Sequence, residues 1–473
     1  MEMIASGIPG MDELLGGLPE GELIIVAGGP GTGRTMFSAG FIYWGAVKYG
    51  ERGVYVSLAE DRETFMRNMR GIRYDFEKLE EKGLFKFLDI LTLMEAGTAE
   101  LLRMIIDETI SFKAQRLVID SLTAIAQGLS KPRELRVFLH TLFSKIMKEM
   151  RCTTILIEEV PSGEERIGYG FEEFVASAVI FLEKDMVDGR FLRRMRIEKL
   201  RGAPVPNNRA CFTLAKGFEV FPPFRIPKLE SPQKPEPPKD PPGRYSTGIP
   251  DLDEHIGGYP KGSSILLEID PRVTREQYRT ITWPHSASFL LKGKPIISFP
   301  GLGSTVRDLK SFYETYAISE DAWRALSRSF LFKEGVNGEH PDIIAYDPDE
   351  GIGSLIEKLE GTADSLLKTV GSPPLIVLSL DPLEFHYGVR EALKALSRVS
   401  AWTRRNSALS LWIDKVAFPE LTKRLASVAT IHFKLTRRHG CLLLYGMKPR
   451  TPFYSVSLDT SRGYYQVKLT PIM

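Results

Sequence analysis

Short apolar, β-branched runs alternate along this chain with longer stretches in which apolar residues recur every three or four positions. Leu23-Ile24-Ile25-Val26-Ala27, Val54-Tyr55-Val56-Ser57-Leu58, Leu117-Val118-Ile119-Asp120 and Thr153-Thr154-Ile155-Leu156-Ile157 read as buried strands. Between the last two, Leu135, Phe138, Leu139, Leu142, Phe143, Ile146 and Met147 fall at helical spacing, with Ser130 placed as a cap. Strand–helix alternation predicts an α/β fold, a mostly parallel twisted sheet flanked by helices. Ligands on such sheets sit beyond the carboxyl ends of the strands.

The pattern is written twice. Gly7-Ile8-Pro9-Gly10-Met11-Asp12-Glu13-Leu14-Leu15-Gly16-Gly17 opens the first half, and Gly248-Ile249-Pro250-Asp251-Leu252-Asp253-Glu254-His255-Ile256-Gly257-Gly258 opens the second, at an offset of 241 residues. The same offset sets Val54–Leu58 against Pro295–Phe299, and Thr154–Val160 is echoed by Leu409–Val416. Self-similarity at so long a period means tandem domains. The stretch between the halves is rich in proline and charge, including Pro235-Glu236-Pro237-Pro238, and prefers an extended linker conformation. The expected organisation is a domain over 1–222, a linker over 223–243 and a second domain over 244–473.

The octapeptide Gly28-Gly29-Pro30-Gly31-Thr32-Gly33-Arg34-Thr35 follows the first apolar strand and precedes a helix-like segment from Met36. This is the strand–loop–helix context of a phosphate-binding loop. Glycines let successive backbone N–H groups curl around an anion, and the helix N-terminus adds a favourable partial charge. Gly28 through Met36 are therefore the candidate nucleotide-binding residues. Thr35 offers a hydroxyl to Mg2+, and residue 34 is placed to reach the phosphates as a catalytic charge. Arginine there keeps the charge of the usual lysine but is larger, planar and forked.

Asp120 ends a strand and is placed as the second Mg2+ ligand, acting through the ion's water shell; the alternative is a carboxylate that caps the next turn. Glu60, just past Val54–Leu58, is the candidate base for an attacking water, or else a surface carboxylate at a helix start beside Asp61 and Glu63. Lys199 and Arg201 lie two apart on the strand-like segment Phe191–Arg201, where both can grip one anion from a single face. The plain alternative is a solvated basic edge strand.

In the second half the loop-equivalent positions are Ile269-Asp270-Pro271-Arg272-Val273-Thr274-Arg275-Glu276, with no glycine and two acids facing where phosphates would sit. Glu60 maps onto Gly301. Asp381 follows the apolar run Leu375–Leu380 and takes the place corresponding to Asp120. Lys448-Pro449-Arg450 keeps the paired cations.

Bulk composition narrows the partners. A net charge of +2 over 473 residues gives no global electrostatic case for nucleic acid. Cys152, Cys211 and Cys441 are far apart and the seven histidines form no ligand pairs, which argues against zinc and for a reducing compartment. No apolar run approaches the ~20 residues that span a bilayer, and Met1–Ile4 opens without a signal-peptide pattern. The expectation is a cytoplasmic protein without a membrane segment.

Taken together these residues resemble the KaiC-like branch of the RecA-type P-loop ATPase superfamily, in its two-domain form. The match rests on the opening Gly7–Gly21, Gly31-Thr32-Gly33-Arg34-Thr35, Val118–Thr123, Tyr169–Val175 and Glu198-Lys199-Leu200-Arg201-Gly202. It is specific over 1–222 and fainter over 244–473. The resemblance implies two tandem RecA-like domains, ATP and Mg2+ at the first, and assembly into a homo-oligomeric ring, hexameric in the family, with nucleotide between neighbours. It further implies that Lys199 and Arg201 act in trans on a neighbour's γ-phosphate.

Three departures weigh on hydrolysis more than on binding: Arg34 for lysine, Ala59 where the family carries a first glutamate before Glu60, and no histidine after Gly202. The leading expectation is an ATP-binding, slowly hydrolysing regulatory protein with nucleotide in its N-terminal domain only. A non-hydrolysing nucleotide sensor acting on a protein partner is the alternative. A recombination-mediator-like ATPase acting on DNA stands third, disfavoured by the charge balance.

Overall fold

The computed structural model describes residues 2–90, 98–128, 149–161, 175–333, 336, 340–415 and 419–473. The helical pattern at Leu135–Met147, its cap Ser130, and Tyr169–Phe174 lie outside them. The chain divides into two compact units, Met1–Pro223 with His439–Cys441 and Pro471–Met473, and Phe224–Arg438 with Leu442–Thr470. Among the described residues, no helix is long and apolar enough to cross a membrane.

The first unit is built on β1 (Leu23–Gly28), β2 (Gly53–Ser57), β3 (Phe85–Asp89), β4 (Arg116–Asp120), β5 (Thr153–Glu159), β6 (Ala178–Val187), β7 (Arg190–Leu200), β8 (Arg209–Thr213) and β9 (Glu219–Phe221). They form one sheet in the order β9-β8-β7-β6-β1-β5-β4-β2-β3. The six strands from β6 to β3 run parallel, and β7, β8 and β9 add antiparallel hairpins at one side. β1 is buried along its whole length, as a central parallel strand must be. Ile24 and Val26 pack on one face against Phe37 and Phe41, and Leu23, Ile25 and Ala27 on the other with Leu101 and Ile105. Helix α1 (Arg34–Tyr49) follows β1 directly, and α2 (Arg62–Gly71) follows β2, with Asp61 capping it by accepting from the Thr64 N–H at 2.8 Å.

Arg116, fully buried at the start of β4, ties this unit together. Its guanidinium donates to the carbonyls of Ala5, Ser6 and Phe41 and pairs with Glu51 at 2.5 Å. Gly45 makes room for it, since a Cβ there would stand 2.3 Å from Arg116 Nε.

The second unit repeats the plan. Its strands are β10 (Ser263–Ile269), β11 (Ile296–Phe299), β12 (Ser327–Phe332), β13 (Ile343–Tyr346), β14 (Leu375–Ser379), β15 (Leu409–Lys415), β16 (Ile431–Arg438), β17 (Cys441–Lys448), β18 (Phe453–Asp459) and β19 (Gln466–Ile472), in the order β13-β12-β11-β14-β15-β10-β16-β17-β18-β19. β10 lies between β15 and β16 just as β1 lies between β5 and β6, so the two sheets share one strand order around their loop-bearing strands. The flanking helices used below are α3 (Arg275–Leu291), α4 (Val306–Thr315) and α5 (Asp381–Arg405). Both units are RecA-like: large, mostly parallel sheets flanked by helices.

The ladders correct the repeat alignment. In the first unit Ile24, Ile155, Val118 and Tyr55 face one another in turn, and in the second Ile265, Leu411, Val377 and Ser298 do so. Anchored on Ile24 and Ile265, Tyr55 therefore corresponds to Ser298 and Asp120 to Ser379. The offset of 241 drifts to 243 by the second strand, because helix and turn lengths between strands differ.

Candidate nucleotide-binding site

The loop after β1 is shaped by its glycines. A Cβ on Gly28 would lie 2.5 Å from the Leu182 carbonyl oxygen and 2.7 Å from Thr32 Oγ1. Gly31 and Gly33 take φ of +70° and +101°, a region side chains disfavour. The buried Thr32 folds its hydroxyl back onto the Gly29 carbonyl at 2.8 Å, closing the loop on itself. Gly33 caps α1 and offers no side-chain acceptor, so the first amides of the helix keep their donors for an anion.

Beside this cradle three side chains converge. The Thr35 hydroxyl donates to Asp120 Oδ2 at 3.0 Å, and the Tyr55 hydroxyl donates to the same oxygen at 2.7 Å. Asp120 is only 8% exposed at the end of β4, level with Ser57 on β2. Burial pushes its carboxyl up, and the two hydrogen bonds pull it back towards the ionised form. Two hard oxygen donors next to a phosphate cradle are the donor set Mg2+ takes, so Thr35 and Asp120 fit the ion. Tyr55 has the look of an ordinary core residue in an apolar strand, and its hydroxyl contact is legible only from the tertiary fold.

Glu60 follows β2 in a turn tied by Ser57, whose hydroxyl donates to the Glu60 carbonyl at 2.7 Å. Its carboxylate accepts from Asn68 at 3.1 Å. Partial burial and then the charge of Asp120 raise its carboxyl above the usual range, the direction a general base needs.

Arg34 lies towards the end of β5. Its guanidinium donates to the Glu158 carbonyl at 3.0 Å and pairs with the Glu159 carboxylate at 3.3 Å, leaving the side chain 12% exposed. Glu158 and Glu159 stand level with Ala27 and Gly28 on the neighbouring β1. Two further cations reach the loop from the β6–β7 hairpin, where Lys184 faces Arg193. Lys184 donates to the Pro30 carbonyl at 3.0 Å and Arg193 to the Gly31 carbonyl at 2.9 Å. Sequence reasoning gave neither hairpin residue this position, nor Glu159 its pairing.

Lys199 and Arg201 are not brought to this loop. Lys199 faces Val179, which pairs with Ile25, whereas Gly28 pairs with Leu182. That is three ladder positions, about 10 Å, back towards the amino end of β1. Arg201 lies in the turn after β7, its N–H donating to the Ser177 carbonyl at 2.8 Å, so the two do not share a strand face as the spacing suggested.

In the second unit the equivalent segment is closed by its own side chains. Asp270 accepts from the backbone and side chain of Arg272 at 2.9 Å and from the Thr436 hydroxyl at 2.9 Å, which holds its carboxyl far below the usual range. Thr274 and Gln277 form a reciprocal capping box at the start of α3, satisfying amides that a phosphate would otherwise use. Asp381 does not take the place of Asp120: Ser379 does. Asp381 instead begins α5 and accepts from the Leu302 N–H at 2.8 Å.

A glycine cradle at a helix N-terminus, with a Thr–Asp pair joining the first turn of that helix to the end of a parallel strand, defines a P-loop domain of the RecA type. A family model described as "ATPase: KaiC" matches residues 4–223. The chain is 32% identical to the UPF0273 protein PH0284 of Pyrococcus horikoshii, over 46% of this chain and 94% of that protein. It is 31% identical to the circadian clock protein KaiC2 of Synechocystis, over 55% of this chain and 46% of that protein. Among solved structures, the KaiC-like protein PH0186 of Pyrococcus horikoshii is 38% identical, covering 47% of this chain and 99% of its own, with a TM-score of 0.43. The chain belongs to the KaiC-like family of P-loop ATPases.

Proposed function

We propose that the chain comprises an ATPase domain at 1–222, a linker at 223–243 and a degenerate domain at 244–473, and that the first domain alone binds Mg-ATP and hydrolyses it slowly. In this reading Gly28–Met36 hold the phosphates, Thr35 and Asp120 hold Mg2+, and Glu60 takes the proton of the attacking water. Bound Mg2+ supplies positive charge where the phosphoryl oxygens gain negative charge. Copies of the chain form a cytoplasmic ring in which Lys199 and Arg201 serve a neighbour's nucleotide, since Lys199 stands level with Ile25 in the middle of β1 and Arg201 beyond it, both away from their own loop. The ring's output is regulatory, through a protein partner.

The observation that carries this reading is the Thr35–Asp120–Tyr55 cluster beside an intact glycine cradle. The test is Mg-ATP binding and turnover by the wild type beside Arg34→Lys and Ala59→Glu. The expected result is one nucleotide per chain, slow wild-type turnover, and faster turnover in both variants. A second reading, a nucleotide sensor without turnover, is favoured by the Arg34–Glu159 pair, which keeps the loop cation directed to β5. Tight binding with no turnover in the wild type or either variant would select it. Two nucleotides per chain would defeat the assignment of a degenerate second domain.

A further inference from the structure

The second unit has lost more than its loop. The ladders place Ser298 where Tyr55 stands and Ser379 where Asp120 stands, so a phenol ring and a carboxylate are both replaced by hydroxymethyl groups. In the first unit that space is filled, with Tyr55 fully buried against Phe65 at 4.6 Å between ring centres. In the second the surroundings have not closed in. A cavity of about 100 Å³ remains between α3, α4 and the carboxyl ends of β11 and β14. Ser298 and Val377 are in consequence only partly buried although they sit on central strands of a ten-stranded sheet.

The cavity is built from two kinds of surface. Trp283, Phe312 and Trp323 supply aromatic walls, with Trp283 and Phe312 edge to face at 5.3 Å. Thr282, Ser286 and Ser379 supply hydroxyls, each belonging to a residue at most 8% exposed. Among the described residues, none of these three hydroxyls has a hydrogen-bond partner. These hydroxyls open onto the cavity, where they can meet a polar group of a ligand, and well-packed interiors keep few voids of this size. The rim carries Arg279 and Asp308, which pair at 2.7 Å, while the Arg279 guanidinium lies 5.0 Å from the Trp283 ring centre. That pair leaves the rim close to neutral, so the site has no charge to offer an ionic ligand.

We propose that this cavity is a binding site for a small, neutral, planar aromatic molecule bearing a hydrogen-bonding substituent. The ring would lie against the wall formed by Trp283, Phe312 and Trp323, beside Ser298 where Tyr55 stands in the first unit, and the substituent would meet the hydroxyls of Ser379, Ser286 or Thr282. Aromatic walls favour a flat ring over a puckered one of similar size. An enclosed apolar cavity of ~150 Å³ takes up benzene; this one is smaller but open at one side, so a ring can enter partway, and its hydroxyls add polar selectivity. This makes the second unit a ligand-binding module in its own right, independent of whether the first unit turns over ATP.

The probe is phenol, titrated into the full chain by calorimetry, with benzene and cyclohexanol as controls. Phenol is expected to bind with a Kd on the order of 1 mM or tighter. Benzene, lacking one hydrogen bond, should bind about 5-fold more weakly, and cyclohexanol more weakly than phenol as well. Ser298→Tyr, which puts the phenol back covalently, should abolish binding, and Ser379→Ala should weaken it about 5-fold. If Ser298→Tyr fails to fold, Ser298→Val decides by reducing the volume without adding a ring: weakened phenol binding supports the site and unchanged binding overturns it. No heat from phenol, equal affinity for cyclohexanol, or undiminished binding to a folded Ser298→Tyr variant would each overturn the proposal.

Discussion

Tyr55 donates its hydroxyl to Asp120 Oδ2 at 2.7 Å, and the Thr35 hydroxyl reaches the same oxygen at 3.0 Å. Asp120 is thus aimed by one residue from a neighbouring strand and one from the loop helix. Tyr55 is fully buried, so its hydroxyl acts as a fixed strut. Partners that orient a metal ligand matter for affinity nearly as much as the ligand does. Tyr55→Phe should therefore raise the Mg2+ concentration needed for half-maximal turnover by about 10-fold, with nucleotide binding in the absence of Mg2+ little changed. A titration of ATPase activity with Mg2+ checks this, and an unchanged midpoint would remove Tyr55 from the metal site.

The Arg34–Glu159 pair makes a second prediction. Glu159 is 55% exposed, and exposed ion pairs contribute little to stability. Glu159→Gln should leave unfolding within about 0.5 kcal/mol of wild type. It should also release the Arg34 guanidinium towards the phosphates and tighten ATP binding roughly 3-fold, the scale of a modest charge interaction. Fluorescent-nucleotide titration measures this. Weaker binding in Glu159→Gln would mean that Glu159 positions Arg34 for the nucleotide instead of holding it back.

What the sequence makes legible here is what local chemistry encodes. The glycines of Gly28–Gly33 are spaced for a turn that only glycine can make, and Asp120 closes an apolar run, so both can be read without a fold. Tyr55 cannot, because a tyrosine within Val54–Leu58 satisfies the apolar pattern whether or not its hydroxyl has a task. The partners of Arg34 lie more than 120 residues away and are joined to it only by the pairing of β1 with β5. Asp381 misleads for a related reason: the apolar run extends one residue beyond Ser379 before the acid, and strand pairing, not the length of the run, decides which residue stands level with Asp120.

Arg116 should be the most sensitive stability position in the first unit. Arg116→Met leaves the carbonyls of Ala5, Ser6 and Phe41 without this donor and Glu51 without its cation. Breaking a buried charged network in this way costs about 3–5 kcal/mol. Gly45→Ala should act in the same direction, because the added methyl meets the guanidinium. Urea unfolding followed by circular dichroism tests both, and a loss below about 1 kcal/mol in Arg116→Met would show that the network relaxes around methionine.

If Lys199 and Arg201 act on a neighbour, activity must be recoverable by mixing. A Lys199→Ala, Arg201→Ala chain has an intact loop but no cation to lend, and an Asp120→Asn chain has both cations but, in the proposed reading, a damaged metal site. Each alone should lose about 10³-fold in turnover. Subunit exchange between them should restore a measurable fraction, because some interfaces then pair a whole loop with a whole cation donor. No recovery in mixtures shown by light scattering to have exchanged would place both cations outside catalysis.

The second unit carries a pH dependence of its own. Burial, followed by the charges of Asp414 and Asp381, pushes the Glu384 carboxyl up to about 7. Burial, with further charge from Glu268 and Asp381, pushes Asp414 up to about 6 against the pull of the Thr422 hydroxyl and His432. Both carboxyls therefore keep protons in the folded state that the unfolded chain releases at ordinary carboxylate values of 4.5 and 3.8. Their contribution to stability is full below those ordinary values and is lost as pH rises through about 6 and 7. Asp240, held down at about 2 by Lys292 and Lys294 despite burial, titrates below this window and does not oppose the trend there. His285, which burial pushes down to about 4, opposes the trend once pH falls through 6.5. The expected result is therefore a thermal midpoint for the second unit that rises as pH is lowered from 8 towards 6.5. In the Glu384→Gln, Asp414→Asn double variant that slope should flatten, and at pH 8 its midpoint should exceed that of the wild type, because neither amide has to be buried as an anion. Calorimetric scans of the full chain across this range decide the matter: equal slopes in wild type and double variant would show that water reaches these carboxylates and leaves them ionised at no cost.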